Sequence, residues 1–314
     1  KFEEKLEIKG DNDHTKLIAM LNDLNDYSVP MSEILGKYFD TENIAYWMAF
    51  QLLTGNTDTQ NRNVYLYSPT NSDTFYLLDW DNDGMLMRKE YEIRQRADGQ
   101  SWENGISNYW GNILLRRCLQ TKSFRTALDK AINDEYKYMS AGRINSMVRQ
   151  YRSIVEPYVQ KMPDSMHEPL TPSQYDTVAN QLHSEIERNY QTYQTGFNKP
   201  MPFYIGKPTP ANGKLKLNWD VAYDFNDEDL RYTVTVSKDY AGNDVVFSQS
   251  DVVLPEAVMD MPGEGQYFIK VSVCNASGYT QDAFDHYITD GNKIYGTKCF
   301  YVKADGSIVE DANE

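Results

Sequence analysis

The chain has 314 residues, 40% of them hydrophobic, and a formal net charge of −15 with a pI near 4.7. That length predicts about two domains with real cores, and the acidic balance excludes sequence-independent nucleic-acid binding, which needs a basic face, and docking on anionic lipid. No apolar run approaches the ~20 residues of a membrane helix, and Cys118, Cys274 and Cys299 form no CxxC pair, which argues against a thiolate zinc site.

The sequence begins at Lys1 without initiator Met or signal peptide, and so reads as a processed or truncated protein. Asp13 can cap a first helix whose Leu17, Leu21 and Leu24 recur at helical spacing. Asp40 can cap a second, with Ile44, Trp47, Met48 and Leu52 on one face, and Gly55 ends it. Residues 55 to 84 then read "GNTDTQNRNVYLYSPTNSDTFYLLDWDNDG". "NVYLY" and "TFYLLD" are two strands of a hairpin, and "SPTNSD" is the polar turn between them. Trp80, at the end of the second strand, is expected in the core. Further on, "GNILLRRCLQ" and "SFRTALDKAI" are two helices joined around Thr121. Ser140 precedes a longer helix carrying Ile144, Met147, Val148, Tyr151, Ile154, Val155 and Tyr158, and another runs from about Pro172 through Val178, Leu182 and Ile186. These apolar stripes are expected to face a helical core.

The period changes from helical to two beyond "NKPMP", residues 198 to 202, whose two prolines predict a linker. Leu215, Leu217 and Trp219 alternate, as do Tyr232, Val234 and Val236, then Tyr267, Ile269, Val271 and Val273, with a last strand over about 293 to 302. Short alternating strands separated by "ANG", "AGN", "PGEG" and "DGN" predict a β-sandwich. Cys274 and Cys299 could meet across neighbouring strands and pair.

The hairpin places Asp58 and Asn63 just before its first strand and the Asp79 to Asp83 cluster just after its second, so antiparallel pairing brings the two acidic ends together. Asp58 and Asn63 have the D-x-x-x-x-N spacing at which kinases place a catalytic aspartate and a metal-binding asparagine, ahead of a second metal-binding aspartate. A rival reading is calcium. "DWDNDGMLMRKE" puts Asp79, Asp81, Asp83, Gly84 and Glu90 at EF-hand loop positions one, three, five, six and twelve. An EF-hand loop is entered from a helix, however, and "TFYLL" reads as a strand. A solvated acidic turn without an ion is the third possibility. His14, His167, His183 and His286 are scattered, with no H-E-x-x-H, and no G-x-S-x-G elbow is present.

"GNTDTQNRNVYLY…FYLLDWDND" resembles the signature of the spore-coat protein H (CotH) kinase family, and "FDTENIAYWMAFQLLTGNTD" resembles the helix that precedes it. The resemblance covers roughly residues 1 to 197. It implies an atypical secreted or surface protein kinase with a protein-kinase-like core, using Mg²⁺ and ATP. Carried over position by position, it makes Asp58 the catalytic aspartate, Asn63 and Asp81 the residues holding metal and nucleotide, and Asp83 the second acid of the W-D-x-D pattern. Asp79 matches the aspartate before tryptophan in small-molecule kinases of the aminoglycoside and choline type, and so rivals Asp81. No glycine-rich loop or strand-rich lobe precedes Asp40, and Lys5 and Lys9 in "KLEIK" lack the setting of a phosphate-binding lysine; the N-terminal lobe is therefore expected to be missing. "GEGQYFIKVSV" resembles the penultimate strand of a fibronectin type III domain.

The expected fold is α+β: a mainly helical kinase-like C-lobe with a short hairpin over 1–198, an immunoglobulin- or fibronectin III-like sandwich over 203–303, and a flexible tail over 304–314. The expected activity is Mg-ATP-dependent phosphoryl transfer to a hydroxyl of a protein or surface polymer. The alternative is a non-catalytic surface module, with or without calcium on Asp79, Asp81, Asp83 and Glu90. A bacterial, extracytoplasmic, secreted or lipid-anchored monomer fits this reading, and abundant tyrosine, aspartate and asparagine suit a wet surface.

Overall fold

The computed structural model describes residues 13–60 and 62–310. The chain is α+β. Its helices are α1 (Thr15–Asn25), α2 (Met31–Tyr38), α3 (Thr41–Thr54), α4 (Arg88–Ile93), α5 (Ile113–Gln120), α6 (Lys122–Tyr138), α7 (Ala141–Val159), α8 (Pro172–Ala179) and α9 (Leu182–Gly196). Strands β1 (Tyr65–Tyr67) and β2 (Tyr76–Leu78) lie between α3 and α4. Among the described residues no helix is long and apolar enough to cross a membrane. The Lys5 and Lys9 run lies outside the described residues.

Local chemistry accounts for the helix ends. Asp13 accepts the Thr15 N–H at 2.9 Å, one residue ahead of the cap position. Asp40 caps α3 by accepting the Asn43 N–H at 2.9 Å. Gly55 closes α3 in the left-handed region at φ +62°, and a Cβ there would also stand 2.7 Å from Asn189 Nδ2. α3 is the central helix of the helical core: Ile44, Trp47, Met48 and Leu52 are all buried, against partners that include Phe124, Leu128 and Ile132 of α6 and Ile186 of α9.

Two helical expectations change. The segment from Pro172 is two helices, broken at Asn180 and Gln181. And α7, expected to face the core, has no buried residue: Tyr151 is 58% exposed and Tyr158 68%. Its apolar stripe exists, but only Ile144 packs against the core as a partly buried neighbour.

Beyond α9 the chain is β: β3 (Thr209–Ala211), β4 (Lys214–Asn218), β5 (Leu230–Ser237), β6 (Val245–Val252), β7 (Glu256–Asp260), β8 (Gly265–Asn275), β9 (Thr280–Asp282), β10 (His286–Thr289), β11 (Asn292–Tyr295), β12 (Thr297–Val302) and β13 (Ile308–Glu310). One sheet has the order β3-β4-β7; the other runs β13-β12-β8-β5-β6, with β9 on β8; β10 and β11 form a separate hairpin. Alternation buries Leu215 and Leu217 from the first sheet with Val234, Val236, Ile269 and Val271 from the second in one core.

Three further expectations change here, and one possibility left open, a Cys274–Cys299 bond, is absent. The strand over 293 to 302 is interrupted at Gly296, φ +69°, where a Cβ would crowd Asp282 and the Val271 carbonyl at 3.1 and 3.3 Å. The tail from residue 304 is ordered as far as Glu310, because β13 pairs with β12 and buries Ile308. Cys274 and Cys299 do not pair: the β8–β12 register sets Cys299 opposite Phe268, six residues from Cys274. And the prolines of "NKPMP" do not mark an open linker. Pro200, Met201 and Pro202 are buried, and the Met201 N–H donates to the Tyr223 carbonyl at 2.7 Å.

Further contacts join the helical half to the β half. Trp102 meets Phe284 edge-on at 5.2 Å, and Trp110 lies 5.1 Å from Tyr223. Lys293 bridges Asp98 and Glu103 at 3.1 and 2.7 Å.

Candidate functional site

The site begins where α3 ends. After Gly55 the chain enters a 3₁₀ turn, Thr57–Thr59, in which Asn56 Oδ1 accepts the Asp58 N–H at 3.2 Å. The turn's own carbonyls would otherwise lack partners. Three side chains from the segment leading into α5 supply them. Tyr109 donates its hydroxyl to the Asn56 carbonyl at 2.9 Å, Asn108 reaches the Thr57 carbonyl at 3.4 Å, and Asn112 reaches the Gln60 carbonyl at 2.9 Å. Tyr109 also contacts Thr59 Oγ1 at 3.1 Å. Its phenol is fully buried, and burial pushes its pKa up to about 12, so it stays a neutral donor.

Held this way, Asp58 is exposed at the surface of a fixed turn. Asn63 takes a left-handed conformation, φ +52°, and turns back so that its Nδ2 donates to Asp58 Oδ2 at 2.9 Å. A carboxylate can only accept, so the Asn63 amide nitrogen must face Asp58 and its carbonyl oxygen must face away.

The hairpin then sets the distance to the second acidic end. β1 and β2 pair antiparallel, Tyr65 opposite Leu78 and Tyr67 opposite Tyr76. Past β2, Asp81 adopts φ +54° and opens a second 3₁₀ turn, Asn82–Gly84. This turn lies on the first. A Cβ on Gly84 would stand 2.9 Å from Asn56 Oδ1 and 3.5 Å from Asp58 Cβ, so the contact needs glycine. Asn82 Oδ1 accepts from Asn56 Nδ2 and from Gln51 Nε2, each at 3.3 Å. Gln51 Nε2 also donates to Asp79 Oδ1 at 3.0 Å. The Leu86 N–H closes the arrangement on the Thr54 carbonyl at 2.8 Å.

The predicted site residues therefore separate into groups. Asp58 and Asn63 are hydrogen-bonded to each other. Asp81 and Asp83 are exposed on the turn beside them, and the Asp81 side chain caps none of its N–H groups. Asp79 is turned instead towards α3: the residue keeps solvent access, partial desolvation raises its carboxyl above the usual range, and the Gln51 hydrogen bond opposes the shift. It shares a cavity of about 250 Å³ with Glu42, Trp47 and Glu135. Burial, followed by the charge of Asp79, pushes Glu135 up to about 8.

The calcium-loop match in the sequence is not gathered into an EF-hand. The chain enters it from β2, α4 after it has only six residues, and Glu90 pairs with Arg94 at 2.8 Å. Among the described residues no three His, Cys, Asp or Glu side chains stand together as a metal-holding group. Trp80, expected in the core, is 59% exposed, two residues past the end of β2, with its ring 5.6 Å from Tyr65. Sequence reasoning missed Gln51, Asn56, Gly84, Asn108, Tyr109 and Asn112. Asn56 was open to being read as a local cap from "GNTD", whereas Tyr109 lies 50 residues from Thr59 with no local signal.

Comparison with the curated proteins returns no match. The family described as CotH kinase protein matches residues 1–193, well over half of the 314 residues and the whole of the site just described, and the chain belongs to that family.

Proposed function

We propose that this chain carries the acid end of a CotH-type phosphotransferase that moves a phosphoryl group from Mg-ATP to a hydroxyl of a protein or surface polymer. The hydrogen bond from Asn63 Nδ2 to Asp58 Oδ2, 2.9 Å long, carries the reading. It fixes the Asp58 carboxylate in one orientation and leaves Oδ1 to accept the proton of an acceptor hydroxyl. It also turns the Asn63 carbonyl oxygen outward, the atom a hard cation takes. Asp81 and Asp83 add exposed carboxylates on the neighbouring turn. Magnesium keeps several waters and needs only one or two carboxylates besides substrate phosphates, so this sparse all-oxygen set suits it better than it suits calcium, which takes six to eight oxygens. Bound there, Mg-ATP would supply the phosphoryl group and offset its charge; Asn63 and Asp81 would hold it, with Asp83 beside them. The remaining task of the protein is positioning, which Tyr109, Asn108 and Asn112 serve by fixing the turn that bears Asp58.

The β half fits a fibronectin type III-like sandwich over about 203–303, following a kinase-like unit that ends near 198. The opposed orders β3-β4-β7 and β12-β8-β5-β6 support this, as does Tyr267, whose hydroxyl donates to the Gly263 carbonyl at 3.0 Å in the manner of a tyrosine corner. By family resemblance the chain acts outside the cytoplasm of a bacterium.

The test is transfer of labelled phosphate from Mg-ATP by the full-length protein. Asp58→Asn is expected to lower the rate by about 10²- to 10⁴-fold while leaving the melting temperature unchanged, since Asp58 is exposed. Undiminished transfer in that variant would falsify the assignment. Calorimetry with Mg-ATP and with calcium on Asp81→Ala separates the two ions.

A further inference from the structure

α7 carries Ile144, Val148, Tyr151, Val155 and Tyr158 at spacings of four, three, four and three. That is the a/d repeat by which one helix recognises another. In a helix that meets only solvent such a seam has no use, yet nothing in the described chain covers its C-terminal half, where Tyr151, Val155 and Tyr158 are all exposed. The seam also forms one wall of a groove of about 560 Å³. Met85 and Leu86, the residues that follow the Asp81–Gly84 turn, line the same groove. Its floor reaches Phe50 and Thr54 of α3, so it opens directly beside the candidate site.

The charges around it are unusual for this protein. The chain has 46 acidic residues against 31 basic, but among the described residues no aspartate or glutamate lines the groove, and the only charged ones that do are Arg143 and Arg152. Arg152 is engaged by Asp176 and Glu156. Arg143 stacks on Tyr138 at 3.8 Å and has no ion pair among the described residues. An occupant therefore needs an apolar face to meet the seam and negative charge to meet Arg143.

We infer that the groove beside α7 docks an acidic amphipathic helix of the acceptor protein, holding that protein against the turn that bears Asp81. Its role for an acceptor rests on the phosphotransferase reading; the docking itself does not. α7, with 19 residues, is about 28 Å long, enough for a partner helix of about five turns. A flat membrane surface would leave the concavity unfilled.

Nucleotide-free binding tests this, so its outcome does not depend on whether phosphoryl transfer occurs. The probes are two synthetic helical peptides of about 20 residues with the same leucine a/d seam, one with glutamates flanking the seam and one with lysines. The glutamate peptide is expected to bind the full chain at least about tenfold more tightly. Tyr151→Glu should reduce that binding by about tenfold or more, as for a central interface residue. Arg143→Gln should slow association and flatten its dependence on salt. Both side chains are exposed, so unchanged melting curves should accompany both losses. Equal affinity for the two peptides, or binding indifferent to Tyr151→Glu, overturns the inference. So does Tyr151-dependent capture by phosphatidylcholine–phosphatidylglycerol vesicles without peptide binding, which would make α7 a membrane helix. A dimer in sedimentation that Tyr151→Glu dissociates would assign the groove to a second copy and overturn it equally.

Discussion

α3 and α7 carry similar apolar stripes and end in opposite surroundings. In α3 the stripe Ile44, Trp47, Met48, Leu52 is buried to the last residue; in α7 none of Ile144, Val148, Tyr151, Val155 and Tyr158 is. Helical periodicity reports that a face is apolar. What covers the face depends on residues far away in the chain: α6 and α9 close over α3, whereas the later helices leave α7 flanking a groove. The difference also bears on the proposed function. α3 is packed over its whole stripe and leads through Gly55 into the turn that carries Asp58, whereas α7 leaves its face uncovered among the described residues.

The contrast predicts unequal costs for similar truncations. Met48→Ala removes a side chain that is 0% exposed and is expected to cost about 2–5 kcal/mol, read as a lower urea midpoint with an unchanged denaturant slope. A loss well below that would mean that the α3 core can collapse around the cavity and is less rigid than its burial implies.

A smaller effect is expected one step from α3, at the clamp on the Asp58 turn. Tyr109→Phe deletes the hydroxyl that serves the Asn56 carbonyl and Thr59. Leaving buried groups unpaired costs about 1–3 kcal/mol. Phosphate transfer should fall more than stability does, because the turn loosens while Asp58 itself is retained. Equal loss of both would reduce Tyr109 to a packing residue.

How much of this was legible depended on sequence distance. The Asp40 cap, the Gly55 stop, the β1–β2 hairpin and the position of Asp58 and Asn63 ahead of its first strand all rest on neighbours within a few residues, and the structure has them where the sequence suggested. The partners of the Asp58 turn were invisible, because Asn108, Tyr109 and Asn112 have no motif and reach it across about 50 residues. The EF-hand match failed for the converse reason. Spacing along a chain does not make ligands converge when the segment is entered from a strand. Cys274 and Cys299 likewise lie in sheet-mates whose register, set by the whole of β8 and β12, keeps them apart.

Glu135, on the side of α6 facing α3, gives a slope rather than a step. Its carboxyl is raised from an ordinary 4.5 to about 8 in the folded chain. As pH rises from 4.5, the unfolded chain releases this proton and the folded chain keeps it, so stability falls through that window and levels off above about 8. Glu135→Gln should flatten the decline, measured as urea midpoints at about pH 5 and about pH 8. It should gain most over the native protein at the higher value. A variant that instead loses stability at about pH 8 would show that the ionised carboxylate has a favourable partner in the cavity it shares with Asp79.

The smallest effect is expected where the stripe is uncovered. Tyr151→Ser removes a large aromatic side chain from the middle of the α7 seam, yet at 58% exposure it should move stability by no more than about 0.5 kcal/mol. The same truncation inside α3 would be severe, so near-neutrality at Tyr151 isolates the surroundings from the residue type. The measurement is a urea melt repeated over a wide range of protein concentration. A cost of several kcal/mol that grows with concentration would mean that copies of the chain already cover the seam in solution, because association stabilises the folded state by mass action. A similar cost independent of concentration would mean that α7 packs inward within a single chain, and the two helices would then differ in degree only. Neutrality at every concentration leaves the Tyr151 side chain with no structural duty in the isolated chain, and its place on a regular exposed seam then points to a partner.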